Sequence, residues 1–142
     1  ITDERMTRFM ITLNQGVELV WHAFNDMVGG EIYVKKIPSM KTIDIARLIL
    51  PQGKHKITGI RPGEKLHEQM ISSDDANSTY EYSDYYKILP QINMWVKDNL
   101  RIKDGVKVPE GFVYSSDNNS EWMTKSNLQK WIDENQNYIG KN

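Results

Sequence analysis

Between residues 12 and 30 the chain spells out a helix with both ends marked: TLNQGVELVWHAFNDMVGG. Thr12 is an N-cap residue, and Gln15 three positions on completes a capping box. Leu13, Val17, Val20, Trp21, Phe24 and Met27 recur at helical spacing and form one apolar stripe. Gly29-Gly30 stops the helix. The flanking segments are β-prone: RMTRFMI (5–11) before it and EIYV (31–34) after it. A strand, a capped helix and a second strand at the start point to an α/β pattern.

The rest extends that pattern in smaller pieces. TIDIARLIL (42–50) reads as a short, mostly buried helix that Pro51 ends. HKITGI (55–60) reads as a strand, and EKLHEQMI (64–71) leans the same way. SSDDANS (72–78) is a polar loop or single helical turn. TYEY (79–82) and YYKIL (85–89) make a hairpin around Ser83-Asp84. Residues 90–111 read as an irregular arm with one strand. FVY opens a further strand, and Thr124 caps a last helix with Leu128, Trp131 and Ile132 on one face. The organisation expected is a lobe over 1–89, followed by a C-terminal arm and terminal helix over 90–142. No G-x-G-x-x-G follows a strand, and there is no P-loop.

Composition removes several function classes. The 142 residues carry 18 basic and 19 acidic side chains, so no basic excess marks a nucleic-acid or anionic-membrane binder. There is no cysteine, which removes disulfides, thiol catalysis and Cys-type zinc sites, and which fits a cytoplasmic setting. No apolar run approaches the roughly 18 residues needed to span a bilayer. The chain opens on Ile1 rather than methionine, which fits a start inside a larger protein.

The histidines do not build a metal centre. His67-Glu68 begins like H-E-x-x-H, but position 71 is Ile. His22 lies at the edge of the helix stripe, and His55 carries no signal. Asp74-Asp75 reads as a turn cap. Tyr80, Tyr82, Tyr85 and Tyr86 read as a half-buried hairpin face. What remains is the turn in GIRPGEKLHEQMI (59–71). Pro62 fixes φ, Gly63 tolerates positive φ, and Arg61 and Glu64 fall on one side of the chain. A guanidinium there suits phosphate oxygens, and a carboxylate suits sugar hydroxyls. Arg8 also sits at a strand edge, and two converging cations would suit a diphosphate.

Four ordered blocks carry a resemblance: ITDERMTRFMITLNQGVELV, GGEIYVKKIPSMKTIDIA, GIRPGEKLHEQMI and YSSDNNSEWM. Together they resemble the C-terminal part of the inverting UDP-N-acetylglucosamine 4,6-dehydratases. These are extended short-chain dehydrogenase/reductases of the pseudaminic-acid and capsule sugar pathways. The resemblance covers nearly all of the chain. It is strongest over 1–72 and 112–123, and loose over about 90–110.

The resemblance implies a fold and a site. The fold is a small C-terminal substrate-binding lobe of an extended NAD(P)-binding Rossmann-type enzyme, with the Rossmann half absent from this chain. Arg8 and Arg61 would contact the diphosphate of a UDP-sugar such as UDP-N-acetylglucosamine. Glu64 would hold the ribose, and Met6 and Thr7 would lie beside the nucleotide. NADP would be bound by the missing half, which would also supply the Tyr-Lys and acid-Lys pairs for hydride transfer and loss of water. No catalytic residue falls in this chain, so alone it is expected to be inactive. The parent would be a cytoplasmic homo-oligomer. A UDP-sugar 4-epimerase lobe and a non-catalytic nucleotide-sugar-binding module are the alternatives.

Overall fold

The computed structural model describes residues 1–91 and 98–134. The elements run β1 (Thr7–Phe9), α1 (Leu13–Asp26), β2 (Ile32–Lys35), β3 (Ser39–Lys41), α2 (Thr42–Ile49) and β4 (Gln69–Ile71). A 3-10 turn at Asp75–Ser78 leads to β5 (Thr79–Glu81) and β6 (Tyr85–Ile88). The chain continues with α3 (Asp98–Ile102), β7 (Val106–Lys107), β8 (Tyr114–Ser115) and α4 (Lys125–Glu134). The named strands all pair antiparallel. β2-β6-β5-β7 form one sheet, and β1-β3 and β4-β8 form two ribbons.

The capping box of α1 is present in both directions. The Gln15 N–H donates to Thr12 Oγ1 at 3.1 Å, and the Thr12 N–H donates to Gln15 Oε1 at 3.0 Å. Thr124 caps α4 by accepting from the Asn127 N–H at 3.1 Å. The hairpin around Ser83-Asp84 forms, with Tyr80 opposite Lys87 and Glu81 opposite Tyr86. It is more deeply packed than a half-solvated face, because Tyr82, Tyr85 and Tyr86 are all buried. The core gathers Val34, Ile71, Ala76, Tyr86, Ile88, Val108 and Tyr114, with Phe9 and Phe112 packed on it.

Three expectations are corrected. HKITGI is not a strand: residues 56–60 are exposed and irregular. A strand needs a partner edge, and among the described residues the backbone of this segment bonds only to Ile1, through Thr58 N to Ile1 O at 2.8 Å and Ile1 N to Lys56 O at 3.1 Å. α2 is not mostly buried. Only Ile43 is, while Ile49 and Leu50 are 65% and 57% exposed, and its flank forms an apolar groove with Leu128, Trp131 and Ile132 of α4. The apolar stripe of α1 is also left exposed: Leu13 is 84% exposed, Trp21 65% and Phe24 63%. Periodicity identified the face, but could not say what covers it. The arm over 90–111 holds its one expected strand, β7, and in addition a short helix, α3, that precedes it. Residues 92–97 and 135–142 of the expected arm and C-terminus lie outside the described residues.

A Pro-Gly turn as the candidate binding site

The segment Arg61-Pro62-Gly63-Glu64 closes as a tight turn. The Glu64 N–H donates to Arg61 O at 3.0 Å, and Gly63 has φ +78°. Pro at the second position and a positive-φ glycine at the third define a type II turn, which explains why this order of residues is needed. A Cβ at position 63 would meet no atom, so the backbone conformation alone calls for glycine.

Glu64 is fixed on this turn. Its Oε2 accepts from the Arg61 backbone N–H at 3.1 Å, and its Oε1 accepts from the Thr2 hydroxyl at 3.2 Å. The Arg61 N–H holds its carboxyl below the usual carboxylate range, outweighing the partial loss of water; the Thr2 hydroxyl and the charges of Arg61 and Arg8 act in the same direction. Both guanidiniums therefore lie within electrostatic reach of one carboxylate. Each oxygen of Glu64 keeps a lone pair for a further donor such as a sugar hydroxyl.

The two arginines differ in what they already hold. Arg8 staples the segment after the turn: Nη1 donates to Thr7 O at 2.6 Å and Leu66 O at 3.2 Å, and Nη2 to Lys65 O at 2.9 Å. Its Nε lies 3.3 Å from Glu68 Oε1. Arg61 is exposed, and its guanidinium makes no hydrogen bond or ion pair among the described residues. Arg5, the third cation near this end of the chain, is committed to Asp3 through Nε at 3.0 Å and Nη2 at 2.8 Å, which draws the Asp3 carboxyl down to about 2.

Met6 and Thr7 lie beneath the turn rather than on its surface, at 3% and 2% exposure. Met6 Sδ is 3.4 Å from the Thr2 hydroxyl that also reaches Glu64. Thr7 Oγ1 meets His67 Nδ1 at 2.7 Å and Ser116 Oγ at 2.6 Å, and Ser116 Oγ accepts from the Glu68 N–H at 2.9 Å. His67 Nε2 lies 4.0 Å from Asp117. These contacts tie β1, residues 66–68 and the Y-S-S-D segment into one support. Sequence reading missed the roles of His67, Glu68 and Ser116. The signal available was that H-E-Q-M directly follows the turn and that Y-S-S-D opens another of the blocks that carry the resemblance.

A second charged cluster lies away from the turn. Lys87 on β6 is fully buried, and its ammonium reaches Asp26 at the end of α1 and Arg101 O at 2.7 Å. Tyr33 and Lys103 also donate to Asp26. Burial pushes the Asp26 carboxyl up, but the hydrogen bonds from Lys103, Lys87 and Tyr33 outweigh it and hold it well below the carboxylate range. Asp84 of the hairpin pairs with Lys35 at 3.3 Å.

The fold and the turn define a small α/β lobe, and comparison with known proteins supplies its class. Residues 1–90 match the family described as "Polysaccharide biosynthesis protein", and the chain belongs to that family. It is 50% identical to a protein of Campylobacter jejuni named UDP-N-acetylglucosamine 4,6-dehydratase (inverting), over 97% of this chain and 43% of the relative. It is 39% identical to a UDP-glucose 4-epimerase of Rickettsia akari, over 62% of this chain and 27% of that enzyme. A crystal structure of Pen from Bacillus thuringiensis superposes with a TM-score of 0.74 at 28% identity, covering 96% of this chain and 39% of Pen. The chain thus spans less than half the length of these relatives. No helix among the described residues is long and apolar enough to cross a membrane.

Proposed function

We propose that the chain is the UDP-sugar-binding portion of a C5-inverting UDP-N-acetylglucosamine 4,6-dehydratase, acting in cytoplasmic nucleotide-sugar biosynthesis for surface glycans. The observation that carries this reading is the gathering of Arg8, Arg61 and Glu64 around one Pro-Gly turn. Arg61 is the free phosphate ligand, and Arg8 adds its charge while holding the turn. Glu64 accepts from the ribose, and Met6 and Thr7 support the site from below. In this reading residues 1–89 are the binding lobe and 90–142 the C-terminal arm and terminal helix. The higher identity and longer match to the dehydratase favour it over an epimerase.

NADP does not fit the residues present. Among the described residues no glycine-rich turn joins a strand to the N-terminus of a helix, and Gly29 and Gly30 follow α1 instead. The cofactor therefore belongs to the remainder of the parent enzyme, and the uncovered stripe of α1 supports the docking of a further part of that enzyme. The proposal makes the lobe inactive alone, with homo-oligomerisation a property of the parent.

Titration of the 142-residue chain with UDP, followed by calorimetry or by NMR shifts, tests the reading. Saturable binding is expected, with Arg61→Ala weakening it by about 1.5–3 kcal/mol, as for loss of a charge-assisted hydrogen bond. Equal affinity of wild type and Arg61→Ala would remove Arg61 from the site.

A further inference from the structure

Arg8 has four partners in the free protein, and they are not alike. Three are backbone carbonyls, those of Thr7, Lys65 and Leu66, fixed by the chain. The fourth is the carboxylate of Glu68, 3.3 Å from Nε. The Glu68 side chain is 43% exposed and that of Arg8 is 28% exposed, so this pair meets water while the carbonyl contacts form the staple. An arriving anion can take the place of Glu68 at Nε without dismantling the staple. Glu64 is not displaced in the same way, because Thr2 and the Arg61 N–H hold both its oxygens.

We propose that Glu68 is a specificity-determining residue: a built-in competitor that occupies Arg8 until a ligand of higher negative charge replaces it. The inference rests on the reading of the turn as a nucleotide diphosphate site. A carboxylate carries one negative charge, and a diphosphate carries two or more over several oxygens. The diphosphate therefore wins the guanidinium, while a neutral nucleoside gains nothing from displacing Glu68. Glu68 also repels a bound diphosphate, so it lowers affinity for every anion and leaves a net preference for the most highly charged one. Arg61 has no such competitor among the described residues and supplies the first contact.

The test is Glu68→Gln, which keeps the length and hydrogen-bonding capacity of the side chain and removes its charge. UDP and uridine are titrated against wild type, Glu68→Gln and Arg61→Ala by NMR, with the Arg8 Hε resonance as a local reporter. Glu68→Gln is expected to bind UDP about three- to tenfold more tightly, with uridine unchanged within about twofold. In wild type the Arg8 Hε signal moves on UDP addition; in Glu68→Gln it is displaced before any ligand is added. UDP affinity within about twofold of wild type, or an equal gain for uridine, would overturn the competitor role while the site reading stands on Arg61→Ala. If UDP moves no signal in wild type or Glu68→Gln, the site reading falls and this inference falls with it. Matching melting curves for the variants establish that the comparison is between folded proteins.

Discussion

The buried Lys87–Asp26 pair sets the most demanding test of how this lobe is held together. Lys87 has no exposed side-chain surface, and it sits on β6, the strand between β2 and β5. Its charge is met by Asp26, by Arg101 O at 2.7 Å, and by the rings of Tyr33 and Tyr82 at 5.2 and 5.0 Å from Nζ. Asp26→Asn leaves an acceptor but removes the countercharge. A buried cation without its partner costs about 3–5 kcal/mol. The Lys103 contact to the same carboxylate adds little, because Lys103 is half exposed and surface pairs are worth about 0–1 kcal/mol. At roughly 3 °C per kcal/mol for a chain of this size, Tm should fall by about 10–15 °C. Urea unfolding followed by circular dichroism measures the loss directly. Lys87→Met added to Asp26→Asn should recover part of it, because removing both charges strands neither. A loss under about 1 kcal/mol for Asp26→Asn, or a double variant as unstable as the sum of the singles, would refute the reasoning.

Further outcomes follow from the same geometry. Thr12→Ala removes the capping box of α1 and should cost about 1 kcal/mol in the urea midpoint. Gly105→Ala places a Cβ 2.5 Å from the Tyr82 ring, whose hydroxyl is held by Ile102 O at 2.7 Å; it should destabilise by about 1–3 kcal/mol on thermal melting. Asp26, Glu31 and Asp84 all have carboxyls held below their ordinary range, so their stabilisation is present above about pH 4 and is lost as pH falls through the lowered values; the urea midpoint should fall continuously as pH is lowered below about 4. Trp21→Glu with Phe24→Lys on the uncovered α1 face should reduce binding of a hydrophobic dye without lowering Tm, since neither side chain is buried.

The sequence carried the parts of this fold that depend on near neighbours. The helix stop falls before Gly29-Gly30, since Met27 is already extended as the C-cap of α1. Thr12 and Gln15, however, act within a few residues, and so do the Pro62-Gly63 turn and the hairpin at Ser83-Asp84. All of these form as their residue types dictate. What could not be read was long-range. HKITGI has the composition of a strand and no edge to pair with. The stripes on α1 and α2 show which residues are apolar and not what lies over them. Lys87 in the run YYKIL looks like a solvated residue of an amphipathic strand, and only the approach of Asp26, 61 residues away in the chain, explains its burial.

The two ionic clusters show why the binding residues were harder to assign than the turn that carries them. In the buried cluster each charge is matched inside the chain, so Lys87 and Asp26 have nothing left to offer a ligand. At the turn the charges are matched only in part: Arg8 is held largely by neutral carbonyls, and Arg61 is left to solvent. A cation satisfied by carbonyls keeps its full charge, so it can orient the turn and still attract an anion. A cation satisfied by a carboxylate cannot do both unless that carboxylate leaves. Glu68, half exposed at the rim of Arg8, is the one carboxylate there placed to leave.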